Sequence, residues 1–177
     1  MKRIAFAVSF LGMAVFSCIG AGGFRSTSGT QPPVITHSYA VDKGSYGQTW
    51  KIYIEAEDPD GDMLKIASVL QQEGVRYRQP VDYIFLKKSD QKYVKGFLSL
   101  ETYNLREPSA TASPRLTLKV TIIDKAGNES KQAVFNLDYV GEESGSGASL
   151  PAPFDQGNIP KLGNILIEGK YPPQPTA

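Results

Sequence analysis

The chain has 177 residues, 41% of them hydrophobic and 21% charged, with a formal net charge of +1 from 19 Lys and Arg against 18 Asp and Glu. That balance offers no basic excess for nucleic acid. A single cysteine excludes a disulfide framework and, with only one histidine, a zinc cluster, a Cys/His pair or a haem-attachment motif.

The amino terminus, Lys2 and Arg3 followed by an uncharged apolar run, reads as a secretory signal. The uncharged stretch continues to Phe24, long enough to cross a bilayer, but its last part is glycine-rich and poor in large apolar residues, which favours a removable signal over a permanent span. Its end, Val15-Phe16-Ser17-Cys18, resembles the lipobox of bacterial lipoproteins, with an aliphatic residue three before the cysteine and a small one just before it. The resemblance covers the first eighteen residues and implies diacylglycerol on the Cys18 thiol, cleavage before Cys18 and acylation of the new amine. Each buried methylene of such chains contributes about 0.8 kcal/mol, and several chains hold a protein on a membrane nearly permanently. By the same analogy, Ile19 rather than aspartate after the cysteine implies the outer membrane. Loss of residues 1–17 leaves 160 residues and, without Lys2 and Arg3, 17 basic against 18 acidic side chains, a net charge of −1.

Residues 18–32, rich in Gly, Ser and Thr and ending at the first proline of the Pro32-Pro33 pair, have the composition of a flexible tether with a reach of a few tens of ångströms. From 33 to 141 the pattern changes to strand-like segments separated by turn residues. In residues 49–57, Trp50, Ile52, Ile54 and Ala56 alternate with Lys51, Tyr53, Glu55 and Glu57, so a strand buries one face and wets the other. Residues 115–124 repeat the device with Leu116, Leu118, Val120 and Ile122, and residues 132–140 with Ala133, Phe135, Leu137 and Tyr139. Weaker segments at 34–41, 63–71, 81–88 and 92–103 complete seven strands. The segment from Met63 also fits a short helical stripe, but its length and neighbours predict a strand. Seven strands over about 110 residues predict an all-β fold, a single antiparallel β-sandwich.

The stretches Glu55-Ala-Glu-Asp-Pro-Asp-Gly-Asp-Met-Leu64 and Ile122-Ile-Asp-Lys-Ala-Gly-Asn128 resemble the second-strand exit and last hairpin of bacterial immunoglobulin-like and cadherin-like modules, whose architecture fibronectin type III domains share. The resemblance covers about residues 33–140 and implies an immunoglobulin-like sandwich without the antibody-type cysteine pair, Trp50 being the one candidate core tryptophan.

Residues 55–62 hold five carboxylates, Glu55, Glu57, Asp58, Asp60 and Asp62. One reading is a turn: Pro59 presets φ, Asp58 accepts from the backbone two residues on, and Gly61 supplies positive φ. The other is calcium, which takes six to eight oxygens, often from alternate loop residues such as Asp58, Asp60 and Asp62. An EF-hand is excluded, because its sixth position falls on Met63 and its twelfth on Val69. In the sandwich this turn and the loop around residue 126 lie at the same end, which predicts that Asp124 and Asn128 approach the other three. Lys125 is an alternative counter-charge there.

His37 reads as a partly exposed residue of the first strand, with no partner pattern for catalysis. Serines flanked by glycines at the spacing of a nucleophile elbow, and phosphate-binding glycine loops, do not occur in the sequence. Arg76, Arg78, Lys87, Lys88, Lys92 and Lys95 interleave with Tyr77, Tyr83, Phe85 and Tyr93. Such a stretch suits an acidic glycan or headgroup, or simply guards strand edges. Residues 142–177 read as a linker and a proline-rich, mostly disordered tail, in which residues 163–169 either pack on the sandwich or pair with a partner's sheet edge. Together these readings predict an exported, lipid-anchored, non-catalytic binding or assembly module with an envelope protein or glycan as partner. The alternatives are a carbohydrate-binding or adhesive module, or an accessory subunit of an envelope enzyme or transport complex.

Overall fold

The computed structural model describes residues 30–73, 79–105, 115–140 and 149–167. The strong alternating segments form the strands that carry the core. In β3 (Thr49–Glu57) the even-numbered residues Trp50, Ile52, Ile54 and Ala56 are all at most 2% exposed. In β7 (Arg115–Asp124) Leu116, Leu118, Val120 and Ile122 are fully buried. β6 (Tyr93–Glu101) adds Val94, Leu98 and Leu100, and β8 (Ala133–Tyr139) adds Phe135, Leu137 and Tyr139. Trp50 also satisfies its indole N–H, donating to the Val41 carbonyl at 2.9 Å.

β1 (Val34–Ala40), β3 and β6 pair antiparallel within one sheet. β2 (Lys43–Gly44), β8, β7, β4 (Met63–Gln72) and β5 (Asp82–Phe85) form the other in that order. β2 pairs parallel with β8, so the first strand region switches sheets after Ala40. The two inner faces meet in one core, as the expected immunoglobulin-like sandwich requires.

β4 resolves the helix-or-strand ambiguity. Its register with β7 slips between Met63 and Lys65, a bulge that puts Met63 and Ile66 on the same side before Ile66, Ser68, Leu70 and Gln72 alternate inward. The i, i+3 spacing is thus the trace of one extra residue in a strand. β5 is shorter than the expected 81–88: the chain leaves the ladder after Phe85 and makes a 3-10 turn at Lys88–Asp90.

Residues beyond 141, expected as linker and tail, contribute to the sandwich. β9 (Lys161–Ile165) pairs parallel with β6 and becomes the fourth strand of the first sheet, so the order there is β1-β3-β6-β9. Of the alternatives for 163–169, packing on the chain's own domain is the arrangement found for the described part, up to Ile167. Ile165 is 5% exposed and Phe154, on the approach to β9, is 2% exposed. The alternation that marks the other strands is missing because β9 buries so little of its length.

Tyr139 is deeply buried, and burial pushes its phenol up to about 12. The hydrogen bond from the Tyr93 hydroxyl to Glu55 raises that group to about 12 as well. Both values lie above the ordinary 10, so these phenols stabilise the fold fully below pH 10 and lose that contribution as pH rises through the folded value. Denaturant midpoints are therefore expected to fall between pH 10 and about 12, and Tyr139→Phe to blunt the fall.

Candidate functional site

The acidic turn between β3 and β4 has the geometry its residue types dictate. Asp58 Oδ1 accepts from the Asp60 N–H at 2.9 Å, its Oδ2 from the Asp62 N–H at 3.3 Å, and its carbonyl from the Gly61 N–H at 3.1 Å. Gly61 has φ +72, the left-handed conformation that closes such a turn without steric cost. The turn is fixed to the start of β6: the Asp58 N–H donates to the Lys92 carbonyl and the Met63 N–H to that of Gln91, both at 3.0 Å.

The β7–β8 loop is built the same way around Asp124. Its Oδ1 accepts from the Asn128 N–H at 2.8 Å and its Oδ2 from the Asn128 amide Nδ2 at 2.7 Å. The Lys125 N–H donates to the Asp62 carbonyl at 3.1 Å, tying the two loops at one end of the sandwich. Asp58, Asp62 and Asp124 each offer an oxygen, and the three lie within 4.8 Å of one another. Asp58 and Asp124 are each 1% exposed, so two of these carboxylates are deeply buried. Oxygens on opposite sides of a calcium ion, with ligands at about 2.3–2.6 Å, stand about 5 Å apart, so the spacing fits such an ion. The trio would supply three of its six to eight oxygens.

Two of the five expected ligands have other roles. Asp60 is exposed, and its Oδ2 accepts from the Gln31 N–H at 2.8 Å, holding the chain where it enters the domain. Asp60 is thus outside the cluster of Asp58, Asp62 and Asp124, which alternation along the sequence does not show. The Asn128 amide orients Asp124 by donating to it. The Lys125 ammonium, the alternative counter-charge, donates to Gln91 Oε1 at 2.8 Å.

Of the interleaved basic and aromatic residues, those described do not share a face. Arg76, Tyr77 and Arg78 lie outside the described residues. Tyr83 and Phe85 stand exposed on β5, with the Lys65 ammonium 4.2 Å from the Tyr83 ring centre, whereas Tyr93 and Lys95 belong to the other sheet. His37 is exposed on β1, its Nδ1 3.0 Å from Glu55 Oε2.

Sequence reasoning missed the surface on β3 and β6 that receives the C-terminal segment. Phe154 packs on Tyr53 with ring centres 5.6 Å apart, and Tyr53 stands 5.7 Å from Phe97 and 6.3 Å from Tyr39. The one signal available was the set of aromatics at the outward positions of these strands.

The sheet order defines the class: an immunoglobulin-like β-sandwich extended by a C-terminal parallel strand. No protein-family model matches the chain, and no curated protein matches its sequence. Among solved structures it is similar to the PKD domain of an M14-like peptidase from Thermoplasmatales archaeon SCGC AB-540-F20, with a TM-score of 0.42 and 16% identity over 62% of this chain and 96% of that one. It is also similar to a CARDB domain of a Pyrococcus furiosus protein in complex with di-metal ions, with a TM-score of 0.31 and 9% identity over 62% of this chain and 86% of that one.

Proposed function

We propose that this protein is a non-catalytic binding or assembly module of a bacterial envelope, held on the membrane, and by analogy the outer membrane, by lipid on Cys18. The observation that carries this reading is the way the chain enters the domain. Sixteen residues after the lipobox cysteine the chain becomes β1, and Asp60 fastens it at Gln31 to the acidic-loop end of the sandwich. An anchor at Cys18 then places that end toward the bilayer. Calcium at Asp58, Asp62 and Asp124 would neutralise the buried carboxylates and stiffen the same end. An acidic-glycan partner is a second reading, favoured by Phe85, 68% exposed beside Lys65 and Tyr83.

Labelling cells with radioactive palmitate tests the anchor. The wild-type protein is expected to take up label and sediment with membranes, and Cys18→Ser to do neither. Equal membrane recovery of both, without label, sinks the reading.

A further inference from the structure

The outer face of the five-stranded sheet carries exposed aromatics and cations that no carboxylate neutralises. Phe85, Lys65 and Ile123 are cross-strand neighbours on β5, β4 and β7, and Tyr83 stands one pleat from Phe85 on the same face. Phe85 is 68% exposed and Tyr83 45%. The Lys65 ammonium lies 4.2 Å from the Tyr83 ring centre, so the ring rather than an acidic side chain holds it in place. Further along β4, Val69 stands opposite Lys119, which Val134 flanks on β8. The ion pairs among the described residues are His37–Glu55 and Arg115–Asp138, so neither Lys65 nor Lys119 has an acidic partner there. Beyond Lys119 the chemistry changes. Gln71, Thr117 and Asn136 lie side by side across β4, β7 and β8, and an open hollow is lined by Gln71, Glu73, Arg115 and Thr117. From Lys65 to Gln71 the strand runs about 20 Å.

We propose that this face binds a linear acidic polysaccharide lying along β4, with one sugar ring on Phe85, carboxylates on Lys65 and Lys119, and hydroxyls on the neutral side chains around the hollow. The proposal rests on the glycan reading above and extends it from one aromatic platform to the length of the sheet. A pyranose ring presents polarised C–H groups, which suit the negative face of an aromatic ring. Charge complementarity makes the polymer acidic. Among the described residues, the outward strand positions of this face hold Lys43, Lys65, Lys119 and Arg115 against Asp138, and Arg115 takes that carboxylate at 2.7 Å. Lys65 and Lys119 are about 13 Å apart along the strands, too sparse for the closely spaced phosphates of a nucleic acid. An extended peptide pairs its backbone with a sheet edge, whereas this surface is the flat of a sheet and offers side chains alone.

The test uses the chain from residue 18 onward, kept soluble by Cys18→Ser and titrated calorimetrically with oligogalacturonates of increasing length. Affinity is expected to rise with length until the oligomer spans the face. Methyl esters of the same oligomers, which keep the rings and lose the charges, are expected to bind about fivefold more weakly or worse. Phe85→Ala is expected to weaken every length about tenfold. Lys119→Ala is expected to weaken only the long oligomers that reach it, by about two- to fivefold, the range of an exposed ion pair. Lys51→Ala removes the same charge from the other sheet and is expected to change nothing. A wild type that binds no oligomer removes the glycan reading and this proposal with it. Binding that is equal for short and long oligomers and indifferent to Lys119→Ala leaves the platform at Phe85 and overturns the extended site. Equal binding of poly-glutamate, or of vesicles of anionic phospholipid, overturns the sugar assignment, since both carry the charge without the rings.

Discussion

Phe154→Ala is expected to lower the unfolding free energy of the mature domain by about 3 kcal/mol, at the lower end of the usual range for a buried phenylalanine. The side chain is 2% exposed, and its ring rests on Tyr53. The lower end follows from its place in a docked segment: once the loss equals the docking free energy of residues 149–167, the segment leaves and no further loss accrues. Urea denaturation gives the number. Limited proteolysis separates the routes, because a released segment is cut while the sandwich survives. Val134→Ala, at a position 51% exposed, is the control and is expected to change stability by less than about 0.5 kcal/mol. A Phe154→Ala loss no larger than that control means the segment is not held by its aromatic anchor.

The acidic cluster gives two variants of opposite sign. Asp124→Ala removes the acceptor for both the Asn128 N–H and its side-chain amide in a buried setting, and is expected to cost about 2–4 kcal/mol in chelator and more in calcium, for which it is a proposed ligand. Asp62→Asn keeps the shape and removes one of three negative charges whose oxygens lie within 4.8 Å. Like charges at that spacing repel by a few kcal/mol at an effective dielectric of about 20, and hydration of half-buried Asp62 leaves about 1 kcal/mol of it. In chelator, then, Asp62→Asn is expected to stabilise the domain. In millimolar calcium the wild type is expected to gain about 0.4–1.4 kcal/mol, given a dissociation constant of about 0.1–1 mM as in extracellular modules, and the variant to gain nothing. Thermal unfolding in calcium and in chelator reads both effects. A wild type that does not respond to calcium removes the metal and leaves two hydrogen-bonded turns.

How much could be read in advance depended on whether a residue's role was set by its neighbours in the chain. Strands β3, β7 and β8 were legible because each buries one face against the core, and period-two alternation records that directly. Asp58 and Gly61 were legible as turn residues for the same local reason. The phase of β4 was not, because a bulge is defined only against the partner strand. The ligand set divided likewise. The approach of Asp124 to Asp58 and Asp62 followed from the topology, but the diversion of Asp60 to Gln31 and of Lys125 to Gln91 did not, since each depends on which group arrives within hydrogen-bond distance.

The sequence by itself determined an all-β sandwich, its core faces, its two acidic turns and the expectation of an exported, lipidated protein. Those features rest on local pattern: alternation, turn chemistry and a signal of defined composition. Only the tertiary structure decided which of the expected ligands cluster, Asp58, Asp62 and Asp124 without Asp60, and that the C-terminal segment is the fourth strand of a sheet. Neither is written in periodicity, because a parallel edge strand takes its register from β6, and a cluster drawn from two loops takes its geometry from the sheets that hold them together.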